Sequence, residues 1–239
     1  MRLIKASTFG FVLLAIFVVS PAANAQTSDR ARLLEDIQSM RSQIIEKERA
    51  FLAPAPEDQA KYAEFLQQPN SGLCRLLPRE KFEGKLLILG AGSNYSFVKL
   101  SHDYGHTTEI GYEDGKFNTA FAGADLGLIA SLGDVPIDSV DLNHPAADFL
   151  AKYRPPELER DAHAESLRIN NGIAVGAFLF NQRAAAKIDT TYVMRAITYD
   201  DSDVLVALRT IREDSDGSIT FLWRVLKQFP KPTLIRTEN

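Results

Sequence analysis

Cysteine and histidine, the residues that carry most metal and covalent chemistry, are scarce in this chain. One cysteine, Cys74, and four histidines occur among 239 residues. A single cysteine excludes a disulfide within the chain, and the surrounding leucines of GLCRLLP predict that this thiol is buried. The fold must therefore be stabilised by an ordinary hydrophobic core, for which the chain is long enough.

An excess of positive charge is also missing. The formal net charge is −4, whereas nucleic acids and anionic membrane surfaces require clustered lysine and arginine. This balance excludes a general affinity for polyanions and leaves only a local basic patch open. We therefore expect no nucleic-acid partner.

No apolar run near the N-terminus is long enough to span a bilayer. Residues 9–19 form an apolar run of eleven residues, about half of the roughly 20 that a membrane helix needs. The run follows Arg2 and Lys5 and precedes the small residues Ala23 and Ala25. This order is typical of a secretory signal peptide, here of bacterial type, with cleavage after Ala25. The sequence thus predicts an exported protein, periplasmic or extracellular, without a transmembrane segment in its mature form.

Periodicity divides the chain after this signal into four segments. Residues 26–69 are predicted to be a helical N-terminal segment and residues 70–153 a β-rich block that ends in a short helix. Residues 154–168 are polar, contain two adjacent prolines and are predicted to be a linker, and residues 169–239 form a second β-rich block. We expect one compact α+β domain, mainly antiparallel and sandwich- or barrel-like; two closely packed subdomains are the alternative.

A regular apolar stripe marks the first helix, predicted over residues 28–52. Its members recur at spacings of 4, 3, 4 and 7 residues: Leu33, Ile37, Met40, Ile44 and Phe51. We favour packing of this stripe on its own domain. The spacing also matches a short coiled coil with another chain, so self-association or a protein partner at residues 28–52 is the alternative.

Strand patterns follow from residue 85 onwards. The segments KLLILGAG, YSFVKLS, TTEIGY and KFNTAFAG alternate or are rich in β-branched and aromatic residues, and Asp114-Gly115 predicts a two-residue hairpin turn. Near the C-terminus, residues 191–199, 203–212 and 218–227 predict an antiparallel meander with turns at 200–202 and 214–217.

Three arginines fall on one face of this meander. With symmetric turns, Arg195 lies opposite Ala207, which lies opposite Arg224, and Arg209 shares their face. Three guanidinium groups together would bind a carboxylate or phosphate, so this is a candidate anion site. The alternative is that the arginines cover their apolar neighbours and pair with nearby acids.

The segment SHDYGH contains two of the four histidines. His102, Asp103 and His106 are candidate metal ligands, with Glu109 as a further one. The β-patterned flanks instead favour a hairpin with Asp103 and Tyr104 near its tip.

Known catalytic motifs are not matched elsewhere. Residues 90–94, GAGSN, lack the spacing of a nucleophile elbow, the third glycine of a dinucleotide site and the lysine of a P-loop. We predict no catalytic residue and no cofactor. The expected function is an exported, non-enzymatic binding or envelope-associated protein. The alternatives are an exported metal-dependent hydrolase using the His102 and His106 region, and an assembly protein that oligomerises through its N-terminal helix.

Overall fold

The computed structural model describes residues 21–102, 104–105, 107–121 and 123–236. The apolar run of the predicted signal peptide and two of the candidate metal ligands, Asp103 and His106, lie outside these residues. The chain divides into two compact units, with the boundary between Gln43 and Ile44.

The described chain contains α-helices and antiparallel strands, as predicted for an α+β protein. The helices are α1 (Pro21–Leu52), α2 (Pro56–Lys61), α3 (Ala63–Leu66), α4 (Arg79–Phe82), α5 (Pro145–Lys152) and α6 (Glu159–Asn170), with a 3₁₀ turn at Ile137–Ser139. The strands are β1 (Ser71–Leu76), β2 (Asn94–Tyr95), β3 (Ile110–Glu113), β4 (Lys116–Asn118), β5 (Leu126–Gly133), β6 (Ile173–Val175), β7 (Phe178–Phe180), β8 (Arg183–Ala185), β9 (Thr191–Thr198), β10 (Ser202–Glu213) and β11 (Ile219–Gln228).

These strands form two main sheets and a separate hairpin. The first sheet has the order β1-β11-β10-β9-β5, the second β2-β3-β4-β8, and β6 pairs with β7. Strands from both predicted β-rich blocks therefore lie in the same five-stranded sheet, because β1 and β5 flank the C-terminal meander.

One face of the first sheet packs on the second sheet in a sandwich-like arrangement. Alternate residues of β9, β10 and β11 point to this side, and the shared core includes Met194, Val206, Phe221 and Trp223 from the first sheet and Tyr95, Ile110, Tyr112 and Phe117 from the second. This is the apolar face that the period-two pattern of the meander indicates.

The opposite face of the first sheet is covered by α5, α6 and the β6–β7 hairpin. Its core contains Leu126, Leu128, Val193, Ile197 and Leu205 from the sheet, together with Ala147 and Leu150 of α5, Ala162 and Ile169 of α6, and Phe180 of β7. Both faces of the sheet are thus covered, and Arg195, which lies on this face, is in the protein interior.

The meander has the three predicted strands but a different register in its first hairpin. Thr198 pairs with Ser202, so the loop comprises residues 199–201, and Asp200 adopts a left-handed conformation with φ of 64°. Arg195 therefore lies opposite Leu205 instead of Ala207. A shift of two residues preserves the side on which each side chain lies, which is why the predicted faces are still observed.

The turn at Asp114-Gly115 is confirmed. Glu113 pairs with Lys116, and Asp114 and Gly115 have φ of 49° and 70°. Positive φ at both central residues is the requirement of a type I′ turn, which glycine and aspartate satisfy at low cost.

One predicted strand is wrong, and a second is shorter than predicted. KLLILGAG forms turns and bends, because Gly90, Ala91 and Gly92 all adopt positive φ, which no extended strand permits. YSFVKLS is a strand only as far as Tyr95, and an isolated bridge between Ser96 and Ser101 closes a turn over residues 97–100.

The polar segment 154–168 is not an extended linker along its whole length. It contains the beginning of α6, which buries Ala162 and Ile169 against β5 and its neighbours. Small or widely spaced apolar residues make only a narrow stripe, so the helical period of this segment is weak.

The apolar stripe of α1 is exposed in the unit that ends at Gln43, and its packing on the rest of the domain stays a prediction. Leu33, Ile37 and Met40 are 60%, 43% and 54% exposed. Near the end of the helix, in contrast, Leu52 is buried and Glu48 accepts hydrogen bonds from the backbone N–H groups of Leu87 and Ile88. No helix within the described part of the chain has the length and apolar character needed to cross a membrane.

Candidate functional site

A groove of about 590 Å³ lies between two extended, proline-containing segments, residues 154–157 and 229–235. The segments are held side by side because Ile235 donates to the carbonyl of Glu157 at 2.7 Å and Glu159 donates to that of Ile235 at 3.1 Å. The Tyr199 hydroxyl fixes the first segment through the Pro156 carbonyl at 2.5 Å. The lining residues are Arg154, Pro155, Pro156, Glu157, Arg195, Asp203, Phe229, Pro230, Lys231, Pro232, Thr233 and Ile235.

The walls of the groove are rigid and apolar. Four of the lining residues are prolines, and each proline ring fixes φ and removes an N–H donor from the wall. Asp200 donates to the carbonyl of Pro232 at 2.8 Å, which ties the second segment to the β9–β10 loop. The groove is therefore formed in advance of any ligand, which lowers the entropic cost of binding.

The floor of the groove is a buried ion pair. Arg195 and Asp203 are each 2% exposed, and they form a bidentate contact with N–O distances of 2.7 and 2.6 Å. Asp203 lies two residues along β10 from Leu205, the direct neighbour of Arg195, so both side chains are on the same face. The acid thereby neutralises the guanidinium in a place where an unpaired charge would be very costly.

The same guanidinium also caps helix α5. One of its terminal nitrogens donates to the carbonyl oxygens of Leu150 at 2.6 Å and Tyr153 at 2.9 Å. These carbonyls lie at the C-terminal end of the helix, where no intrahelical donor remains for them and positive charge is favourable. Four of the five N–H groups of Arg195 are thus used within the protein, and the arginine is a structural element of the floor.

Phe229 lies over the ion pair and presents its ring to two cations. Its ring centroid is 3.7 Å from Cζ of Arg195 and 4.6 Å from Nζ of Lys227. Both contacts have the geometry of cation–π interactions. The backbone N–H of Phe229 also donates to the carbonyl of Asp203 at 2.9 Å, so the ring is fixed above the floor.

The rim of the groove carries an excess of positive charge. Arg154 and Lys231 are exposed, and within the described residues neither makes an ion pair. Glu157 is the one acid of the lining besides Asp203. Because Asp203 compensates Arg195, the remaining two cations and one acid leave the groove positive.

The other two arginines of the predicted anion site are engaged elsewhere. Arg209 contacts Asp134 at 2.7 Å and the carbonyl of Val135 at 3.0 Å. Arg224 bonds to Gln68 at 3.1 Å and to the Val140 carbonyl at 3.0 Å. The structure thus gives each of the three arginines its own set of partners, and only Arg195 lines the groove.

His102 is the one histidine of SHDYGH within the described residues. Its Nε2 lies 2.9 Å from the carbonyl oxygen of Arg75 and 3.6 Å from Sγ of Cys74. A contact to a carbonyl requires a proton on Nε2, so this nitrogen acts as a donor and cannot serve as a base for the thiol. Burial also raises the pKa of Cys74 well above its ordinary value, which keeps the thiol neutral.

The described residues do not assemble the predicted metal site. No group of three histidine, cysteine, aspartate or glutamate side chains in the described part of the chain lies close enough to hold a metal ion. Asp103 and His106 are outside that part, and the assignment of a metal to this segment stays a prediction.

Glu109, the further ligand considered for that site, is fully buried in the core beside the turn at residues 97–100. It accepts hydrogen bonds from the backbone N–H of Phe97 at 2.7 Å and from the Ser202 hydroxyl at 3.2 Å. Burial raises the pKa of Glu109 to about 7, and the hydrogen bonds from Ser96, Phe97 and Ser202 offset only part of that effect. The carboxyl therefore titrates near neutral pH.

Most of the groove was not foreseen from the sequence, although signals were present. Asp203 lies two residues from Leu205, so side-chain alternation places it on the same sheet face as Arg195. An acid on that face is a signal for a partner of the arginine. The prolines of residues 155–156 lie in the predicted linker, and Pro230 and Pro232 follow the last predicted strand. Proline-rich segments on either side of a strand meander are also suitable as rigid walls.

No protein-family model matches this chain. Neither a curated protein nor a solved structure matches it. Functional conclusions therefore depend on the geometry and chemistry of the chain itself.

Proposed function

We propose that the protein is an exported, non-enzymatic binding protein that holds a small organic anion with an apolar body in the groove beside Arg195. Export is supported by the N-terminal sequence, with its basic start, short apolar run and Ala23-Asn24-Ala25. An exported binding protein of this kind acts in the cell envelope or outside the cell.

The observation that carries the proposal is the contrast between the floor and the rim of the groove. The ion pair of Arg195 and Asp203 is neutral and most of its hydrogen-bonding groups have partners, whereas Arg154 and Lys231 at the rim have unused charge. An anionic group is therefore recognised at the rim, where the two cations lie in reach of solvent. The apolar part of such a ligand contacts the prolines and Phe229, which offer no competing donors.

Binding fits the lining better than catalysis does. The residues that line the groove include no histidine, cysteine or serine, and their one hydroxyl group belongs to Thr233. A nucleophile needs an adjacent base, and a general acid or base needs a group that can exchange its proton at the working pH. Asp203 is held in a bidentate contact with Arg195 and is not placed for such a role.

Hexanoate and its neutral amide, hexanamide, test this proposal by calorimetric titration. We expect hexanoate to bind more tightly than hexanamide, because the two probes share the apolar chain and differ in the charge that the rim recognises. Replacement of both rim cations, Arg154→Glu with Lys231→Glu, should reduce the affinity for hexanoate by roughly tenfold or more, the effect of losing two partly exposed charge contacts.

A matched control keeps the change in net charge and moves it away from the groove. Lys99→Glu with Lys116→Glu reverses two exposed lysines outside the lining, and its affinity for hexanoate should equal that of the wild type. Equal affinity for hexanoate and hexanamide, or equal losses in the two double variants, would contradict the proposal.

A further inference from the structure

An uncovered apolar surface lies on α1 within the compact unit that ends at Gln43. Leu33, Leu34, Ile37 and Met40 are between 43% and 60% exposed. Four large apolar side chains on little more than two turns of one helix form a contiguous patch, and such patches mark interaction sites. The patch is independent of the groove and of the function proposed for it.

The spacing of the patch is that of a coiled coil. Leu33, Ile37 and Met40 follow one another at intervals of four and three residues, and Ile44 continues the pattern four residues later. In a heptad these residues take the core positions d, a, d and a. Isoleucine at position a with leucine at position d is the combination that favours two strands, and here one d position is leucine and the other is methionine.

The charges beside the stripe select the identity and direction of the second strand. Asp36 and Arg41 take the flanking positions g and e, and in a parallel dimer each g residue lies next to the e residue five places later in the other helix. Asp36 then lies beside Arg41 of the partner subunit, twice by symmetry. In an antiparallel pair, where e faces e and g faces g, Arg41 lies beside Leu34 and no opposite charges meet.

A membrane surface is a poorer match for the same face. Between residues 29 and 43 the helix carries three acidic and three basic residues: Asp29, Glu35, Asp36, Arg30, Arg32 and Arg41. Helices that lie on anionic membranes have a polar face rich in lysine and arginine. The balanced charge of α1 instead suits a partner with the same balance, which a second copy of this chain provides.

We propose that the apolar stripe of α1 pairs with the same stripe of a second copy of this chain in a parallel, two-stranded coiled coil. The full chain is purified after export, with its N-terminus read by mass spectrometry, and its mass in solution is measured by light scattering over a wide range of concentration. The expected result is a concentration-dependent dimer.

Two double variants separate the stripe from the rest of the helix. Ile37→Glu with Met40→Glu places charge in the core of the coiled coil and should give a monomer at every concentration. Gln38→Glu with Ser42→Glu adds the same charge at positions b and f, outside the core, and should leave the dimer intact. A wild-type monomer at all concentrations, or a dimer that persists in the first variant, would overturn the proposal.

The direction of the helices is tested by exchange of the flanking charges. Asp36→Arg and Arg41→Asp, each alone, should weaken the dimer by roughly tenfold, since two attractive pairs become repulsive. The combined variant restores opposite charges across the interface and should recover the wild-type affinity. Failure of the combination to recover it would exclude the parallel arrangement.

Folding of each variant is followed separately from association. Trp223, the one tryptophan of the chain, is 4% exposed in the core between the two sheets. Its fluorescence reports the integrity of the unit that begins at Ile44. An unchanged emission spectrum shows that a loss of dimer in a variant is a change at the interface.

Discussion

Replacement of Asp203 by asparagine should lower the free energy of unfolding by about 3–5 kcal/mol, the usual cost of breaking a buried ion pair on one side. Asparagine keeps the size of the aspartate but removes its charge and turns one acceptor into a donor that faces the guanidinium of Arg195. The arginine would then retain a buried charge without a counterion, because its other partners, such as the carbonyls of Leu150 and Tyr153, are neutral. Urea denaturation, monitored by the fluorescence of Trp223, measures the change.

Two control variants show whether the unpaired charge is the cause. Glu46→Gln breaks an ion pair in which both side chains are about 70% exposed, and such pairs contribute only about 0.2–1 kcal/mol. Arg195→Met combined with Asp203→Leu removes both charges and should be more stable than Asp203→Asn, because no charge remains buried. A loss for Asp203→Asn as small as that of Glu46→Gln would contradict the role assigned to the floor of the groove.

The ion pair also links stability to the groove. In Asp203→Ala the guanidinium at the floor lacks its carboxylate and the side-chain volume is vacated, so a small carboxylate that enters the groove can take that place. Acetate should therefore raise the stability of Asp203→Ala more than that of the wild type, whereas chloride at the same ionic strength should affect the two proteins equally. A stabilisation by acetate that chloride does not reproduce would show that a small carboxylate reaches Arg195 at the floor of the groove.

The second large effect concerns Glu109 and pH. Its pKa is about 7 in the folded protein and near the ordinary value of 4.5 when the chain is unfolded. The folded state thus binds a proton that the unfolded state releases between these values, so the contribution of Glu109 to stability falls as pH rises from about 4.5 to about 7. Integrated over this interval, the loss is about 3 kcal/mol, complete above the folded pKa.

Glu109→Gln should abolish this part of the pH dependence. Glutamine is neutral at every pH, and it can accept from the N–H of Phe97 while it donates to the hydroxyl of Ser202. The wild type should therefore lose stability relative to Glu109→Gln between pH 5 and pH 8 in urea denaturation. Glu64→Gln, at an exposed position, serves as a control and should follow the wild type at each pH. A constant difference between the wild type and Glu109→Gln would disprove the proposed titration.

Local sequence signals predicted the features that depend on few residues. The turn at Asp114-Gly115 needs only two residues that tolerate positive φ, and the strands of the meander need only period-two alternation of apolar side chains. The predicted stripe of α1 followed from helical spacing in the same way. What covers such a stripe depends on other parts of the molecule or on another molecule, and helical spacing alone does not distinguish between them.

Features that depend on long-range contacts were not predicted. KLLILGAG has the composition of a strand, yet its chain is held in turns, with Glu48 of α1 bound to the N–H groups of Leu87 and Ile88. The groove is likewise formed by segments about 75 residues apart in sequence, for which no local pattern exists. Arg195 is the one lining residue that the sequence predicts as a site residue. Side chains alternate between the two faces along a strand, and this alternation fixes the face on which Arg195 lies.

The most direct test of the groove as the binding site is a nuclear magnetic resonance titration of the labelled protein with hexanoate. The amide signals expected to shift are those of the lining residues that possess an N–H group next to the prolines, among them Arg154, Glu157, Lys231 and Thr233. These shifts should saturate and should be absent in Arg154→Glu with Lys231→Glu. Shifts confined to another part of the protein, or no saturable shift at all, would contradict the proposed site.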